Sequence, residues 1–257
     1  MKRTIIKKLG KPSVIYLLVF QALCYKAAAQ ESSTISAAMV PQEVAKIQAA
    51  YKNQQHLSFT VQYRYTKADE PTLTLDSAAG AFKISGNSYW GILDSMEFIQ
   101  NDKYNIMLEK ETRLIRIAEP QDVYPQVINF SMFDSAARTQ PGEKESYLVS
   151  TETVGEEKKL TIRFTNPNLP YKECSITYNS LSYLVKKLSY TARNTDEEYN
   201  NGEMVTVTAV FSNYSTAVFD GDVFSSSRYF TKEDKSFIAR APYTDYELFV
   251  ASPNLLN

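Results

Sequence analysis

Leu57-Ser58-Phe59-Thr60-Val61-Gln62-Tyr63-Arg64-Tyr65 decides the fold. Phe59, Val61, Tyr63 and Tyr65 alternate with Ser58, Thr60, Gln62 and Arg64. A period of two belongs to a strand with one face buried and one face wet. Such strands pair antiparallel, because parallel sheets are covered on both faces and read as unbroken apolar runs.

Short β-rich runs follow at close spacing over 80–85, 88–93, 96–100, 104–109 and 113–118. Asn101-Asp102-Lys103 and Lys110-Glu111-Thr112 supply the residues of tight hairpin turns between them. Successive strands joined this way make an antiparallel meander and exclude a βαβ plan. Upstream the period becomes helical: Pro41 suits a first turn, and Val44, Ile47 and Tyr51 form an apolar stripe. Gln42, Lys46 and Asn53 fall on the opposite face, Glu43 at its edge and Gln48 beside the stripe, which predicts a helix over 41–51 lying down by a slim contact.

Downstream, between Pro120 and Pro141, the alternation stops. Val123, Val127, Ile128, Met132 and Ala136 predict a short helix or a pair of turns, with Pro125 near its start. A second strand series then runs over 147–153, 160–165, 173–178, 183–192 and 204–214, with a polar hairpin loop at 194–202 tipped by Asp196, Glu197 and Glu198. The expected architecture is mainly antiparallel β: an open half-barrel meander, with the N-terminal helix and the short helical insertion packed on its concave side. Residues 216–257 form an aromatic-rich extension without regular period.

Residues 1–29 read as an address. Lys2, Arg3, Lys7, Lys8 and Lys11 precede a mostly apolar run from Ser13 to Cys24, and Ala27-Ala28-Ala29 offers small residues for cleavage before Gln30. The apolar run is shorter than the ~20 residues of a membrane span. Lipid attachment at Cys24 is the alternative, but Leu23 and Gln21 stand where small residues are wanted. The expected product is one domain over 30–257, periplasmic or secreted from a Gram-negative-type cell, with no transmembrane span after cleavage.

The whole chain has 28 Lys plus Arg against 29 Asp plus Glu, and six of the basic residues lie in the leader, leaving 22 against 29. An acidic domain without a basic stripe excludes a nucleic-acid partner. Eight glycines are too few and too scattered for a phosphate loop: Gly86 and Gly91 have the spacing, but Ile92-Leu93 stands where Lys and Ser/Thr are required. Cys174 remains the single thiol of the mature chain and shares its parity with Ile176 and Tyr178, so it reads as a buried apolar residue.

Several of these segments resemble the LolA/LolB-like superfamily of periplasmic half-barrels that carry lipoproteins or hold acyl chains. The likeness is carried mainly by residues 57–118: Leu57-Ser58-Phe59-Thr60, Gly80-Ala81-Phe82-Lys83-Ile84, Asn87-Ser88-Tyr89-Trp90 and Ile99-Gln100-Asn101-Asp102-Lys103 look like its first strands and a turn. Ser175-Ile176-Thr177-Tyr178 and Leu184-Val185-Lys186-Lys187-Leu188 are similar to later ones. Ser85-Gly86 stands where the carriers have a basic residue and a proline, and the chain runs on past Asp220-Gly221-Asp222 where they finish. The resemblance implies an open sheet whose concavity takes an acylated protein or lipid.

No residue combination indicates catalysis. His56 has no local triad or metal-ligand spacing and reads as a surface or cap histidine. Asp220 and Asp222 lack the remainder of a calcium loop and read as a turn; no metal or cofactor is expected. Paired acids for glycoside hydrolysis are not selected by any signature. The aromatic stripes are more informative. Phe59, Val61, Tyr63, Phe82, Trp90 and Phe98 are the candidate lining of a pocket for an amphipathic ligand, each also accountable as ordinary core. In the extension, Arg228, Tyr229, Phe230, Phe237, Tyr243 and Tyr246 are the candidate contacts for an envelope protein partner, which would make the chain a scaffold or assembly component instead; a closing strand explains them as well.

Overall fold

The computed structural model describes residues 31–34, 39–121, 133, 147–194 and 203–256. The predicted leader, most of the predicted insertion and the predicted 195–202 loop tip lie outside the described residues.

The two meanders join into one sheet of 13 strands in the order β1-β8-β9-β10-β11-β12-β2-β3-β4-β5-β6-β7-β15. The first series is β2 (Leu57–Lys67), β3 (Thr74–Ser85), β4 (Ser88–Leu93), β5 (Met96–Gln100), β6 (Asn105–Glu109) and β7 (Leu114–Ala118). The second is β8 (Tyr147–Val154), β9 (Glu157–Phe164), β10 (Tyr171–Asn179), β11 (Val185–Arg193) and β12 (Met204–Ser215). β12 returns to pair antiparallel with β2, Phe211 opposite Val61 and Ala209 opposite Tyr63, and this seam fuses the series. β1 (Glu31–Thr34) adds to β8 antiparallel at one edge, and β15 (Glu247–Val250) adds to β7 at the other as the sheet's parallel pair. Among the described residues the edges β1 and β15 do not meet, so the sheet stays an open half-barrel.

Strand starts follow backbone handedness. Arg113 and Tyr183 adopt φ of 54° and 58°, left-handed values outside the extended region of regular strands, and β7 begins at Leu114 and β11 at Val185, later than the alternation alone indicates. At the β5–β6 turn the Asn101 side chain accepts from the Lys103 and Tyr104 backbone N–H groups, both at 2.9 Å, and β6 starts after Tyr104.

Helix α1 (Val40–Lys52) lies on the concave face. Val40, Val44, Ile47 and Tyr51 are buried there against Leu57, Phe59, Val61, Phe82 and Ile84, and against Leu160, Ile162, Cys174, Ile176, Tyr178 and Val185 from the other meander. Phe133, from the insertion, is fully buried in the same cluster. The convex face divides in two. Over β10–β12 and β2 it is polar, with Ser189 and Thr191 hydrogen-bonded to Thr208 and Thr206. Over β5–β7 it is apolar: Ile99, Ile106, Leu108, Ile115 and Ile117 are at most 1% exposed, covered by Tyr229 and Phe230.

The extension, which has no period in its sequence, nonetheless folds into short regular elements. Short 3₁₀ turns at Gly221–Phe224 and Ser226–Arg228 lead to the hairpin β13 (Phe230–Glu233) and β14 (Ser236–Ala239), then to β15. The Asp220 carboxylate accepts from Asp222 N–H at 3.0 Å, which makes this pair a turn cap.

Candidate functional site

Residues opposite one another in paired strands share a face, so register fixes what the concave face presents. Phe59 pairs with Phe82, Phe82 with Gly91, Gly91 with Phe98, Phe98 with Met107, and Met107 with Arg116, beside which stands Phe249. Exposure rises along this row. Phe59 and Phe82 are 2% exposed beneath α1, Phe98 and Met107 are half-buried, Arg116 is exposed, and Phe249 is 52% exposed. The adjacent row, Val61, Gly80, Leu93, Met96, Glu109 and Leu114, repeats the trend, with Leu93, Met96 and Leu114 half-buried. The concave side of β4–β7 is thus an apolar strip that leads outward from the core.

On the other meander a belt of aromatics lies on the same face. Ring centroids of Tyr147 and Phe164, Phe164 and Tyr171, and Tyr171 and Tyr190 are 6.4, 6.4 and 6.0 Å apart. Tyr65 and Tyr190 both pair with Val207, which brings the belt to β2. Phe164, Tyr171, Tyr190, Tyr63 and Tyr65 are half-buried. Burial pushes the Tyr190 hydroxyl up to about 12 and raises that of Tyr63, so both stay protonated donors at neutral pH. Such rings offer an apolar body with a polar tip.

Two polar clusters hold α1 in place. Glu43, in the helix's first turn and 4% exposed, accepts from the Tyr178 hydroxyl in a short contact, from Lys158 Nζ at 3.0 Å and from Lys46 Nζ at 2.9 Å. Burial works to raise its pKa, but those three donors and the Lys158 charge outweigh burial and hold the carboxyl at about 2. At the other end of the helix, the Val185 N–H donates to Tyr51 Oη at 3.1 Å, and the Tyr214 hydroxyl donates to the Val185 carbonyl at 2.7 Å. The phenols lie 2.6 Å apart; with the Tyr214 proton committed to Val185, Tyr51 donates to Tyr214 and the ring of bonds closes.

On the convex face Glu97, 5% exposed, accepts from Trp90 Nε1 at 2.6 Å and from the Tyr229 hydroxyl at 2.7 Å. This buried carboxylate ties the extension to β4 and β5. Asn101 Nδ2 adds a bond to the Phe224 carbonyl at 2.9 Å.

Of the six candidate lining residues, Phe59, Val61, Tyr63, Phe82 and Phe98 come together on the concave face, the first two and Phe82 as its buried base. Trp90 does not join them. It pairs with Lys83 and Ile99 and packs in the convex cluster. The cause is the two-residue turn at Gly86-Asn87, which sets Tyr89, and not Trp90, opposite Ile84. Counting outward from that turn would have assigned the parity. Of the six candidate partner contacts, Tyr229 and Phe230 are buried, Phe237, Tyr243 and Tyr246 pack against the same cluster, and Arg228 is exposed. The aromatic extension is the cover of its own sheet. The missed signal is that β5–β7 carry apolar residues at both parities, the mark of strands buried on two faces.

Cys174 is fully buried, and burial foremost, with the Glu173 charge, pushes its thiol up to about 12. The His56 ring meets Phe219 edge-on at 4.8 Å, and among the described residues its buried Nδ1 has no hydrogen-bond partner. Among the described residues no group of three or more His, Cys, Asp or Glu is placed to hold a metal ion, and no helix is long and apolar enough to cross a membrane.

No family model matches the chain, and no curated protein matches it. Solved structures do. A LolA superfamily protein from Nitrosomonas europaea is similar at 9% identity and a TM-score of 0.34, over 73% of this chain and 98% of that one. A conserved protein from Thermus thermophilus aligns at 9% identity and a TM-score of 0.41, over 82% and 98%. A proposed outer membrane lipoprotein-sorting domain from Vibrio parahaemolyticus aligns at 10% identity and a TM-score of 0.31, over 73% and 97%. Likenesses this distant carry nothing about superfamily, ligand or chemistry.

Proposed function

We propose that the chain is a non-enzymatic binding protein for an amphipathic ligand, an acylated protein or a lipid, held on the concave face of the half-barrel in the periplasm. The observation that carries this reading is the half-buried strip of Leu93, Met96, Phe98, Met107 and Leu114, continuous in register with the buried Phe59–Phe82 stack. Met side chains adapt to irregular apolar shapes, and the tyrosine belt across β2 and β9–β11 offers a second wall that meets both lipid and water.

Each methylene buried contributes ~0.8 kcal/mol, so about ten of them give roughly 8 kcal/mol. That is the same order as the cost of association. A strip built from strands held on both sides keeps that cost low, because little has to be ordered on binding.

The test is mass spectrometry of lipids and acyl species extracted from the protein purified from its native envelope. Stoichiometric acyl material is expected. Its consistent absence, together with no thermal stabilisation by acylated peptides, would remove the proposal.

A further inference from the structure

We propose that Arg116 selects the ligand of this face, taking the anionic head group of an acyl chain whose body lies along Met107 and Phe98. The inference rests on the binding reading above and adds the chemical class of the ligand.

Arg116 is the single charged member of its row, opposite Met107 and beside Phe249. Along β7 its same-face neighbours are Leu114 and Ala118. It therefore stands beside Met107, Leu114 and Phe249 at the outer end of the strip. Among the described residues it has no ion-pair partner, whereas Arg113, three residues earlier, is bound to Asp245 at 2.7 Å. Two acids share its face one step away by register, both opposite Leu114: Glu109, which accepts the Thr112 hydroxyl at 2.6 Å, and the exposed Glu247 on β15.

The direction of the side chain is fixed by the fold. β7 is paired on both sides, to β6 and β15, and its alternate residues Ile115 and Ile117 are fully buried under the extension. Arg116 has no route to the convex face. A guanidinium presents a planar fork of donors that matches a carboxylate or a phosphate with two parallel bonds. From Gly91 and Leu93 on β4 to Arg116 on β7 is three strand spacings, about 14 Å, the reach of an extended twelve-carbon chain. An anionic amphiphile thus meets charge and apolar surface in the order in which the row supplies them.

The test uses the purified full-length mature protein and displacement of the neutral dye N-phenyl-1-naphthylamine by laurate, dodecyl phosphate and the uncharged 1-monolaurin. In low salt the wild type is expected to bind at least one anion about tenfold more tightly than monolaurin. Arg116→Gln is expected to erase that preference while leaving monolaurin affinity and thermal stability unchanged, and Arg113→Gln to keep it. Arg116→Met, which retains the apolar stem, serves if the Gln variant fails to fold. The tighter of the two anions identifies the head group. Equal binding of anions and monolaurin by the wild type, or a preference that survives in Arg116→Gln, would overturn the role of Arg116 and leave the binding reading standing. Failure of all three probes to bind would overturn the binding reading, and the inference with it.

Discussion

The Phe82 ring lies in the space that a side chain on Gly91 would fill: a β-carbon built on Gly91 would stand 2.1 Å from Phe82 Cε1 and 2.2 Å from Cδ1. Gly91 is directly opposite Phe82 in the β3–β4 pair, so the ring lies flat across its neighbour's backbone. There it stacks on Phe59 at 5.6 Å between centroids and 17° between planes. The missing side chain sets the inner end of the apolar strip. Gly91→Ala is expected to displace the ring and cost about 1–3 kcal/mol, measured by denaturant unfolding. In a Phe82→Ala background the same change should cost much less. Equal costs in the two backgrounds would show that the contact does not matter.

Glu43 makes the seating of the helix sensitive to acid. Its folded pKa of about 2 lies below the ordinary 4.5, so the stabilisation is fully present above pH 4.5 and is lost as pH falls toward 2. The size is on the order of 3 kcal/mol. Thermal unfolding of the wild type should steepen its decline between pH 4.5 and 2, and Glu43→Gln should be less stable at neutral pH and flatter over that interval. A Glu43→Gln profile parallel to the wild type would contradict this.

The bonded ring of Tyr51, Tyr214 and Val185 supplies the start of β11 with partners that a strand would otherwise give. Tyr51→Phe leaves the buried Val185 N–H unpaired, at a cost of about 1–3 kcal/mol. Hydrogen exchange at the Val185 amide should accelerate relative to that at Leu188. Unchanged protection would mean that another acceptor serves.

Tyr229 and Glu97 fasten the extension. Tyr229→Phe should destabilise by about 1–3 kcal/mol through loss of a bond to a buried carboxylate. Deleting residues 216–257 should do far more, since Ile99, Ile106, Leu108, Ile115 and Ile117 then face water. Dye binding to exposed apolar surface and loss of solubility are the readouts. A truncated chain that stays soluble and unfolds like the wild type would show that the extension is not a cover.

The sheet was legible in the sequence because its strands alternate and its turns are short. Phe59, Val61, Tyr63 and Tyr65 announced their face, and Val44, Ile47 and Tyr51 announced the helix. What stayed hidden is non-local. β15 joins β7 across more than a hundred residues and in parallel, a pairing that no short turn encodes. Glu43 reads in sequence as a residue at the edge of a wet face, since Lys158 and Tyr178 reach it from strands far along the chain. Trp90 belongs to the convex face, a parity that its aromatic ring does not reveal and its distance from the turn at Gly86-Asn87 does. Arg116 carries no local signal: its place beside Met107 and Phe249 is set by register alone.

The most direct measurement is calorimetric titration of laurate or dodecyl phosphate into three proteins: the wild type, Phe98→Asp on the concave strip, and Leu148→Asp on the convex face, where Leu148 is already 59% exposed. Wild type and Leu148→Asp should bind with matching affinity and a negative heat-capacity change, while Phe98→Asp, folded by circular dichroism, should lose binding at least tenfold. Wild-type affinity in Phe98→Asp, loss in Leu148→Asp, or no binding by any of the three would contradict a ligand site on the concave face.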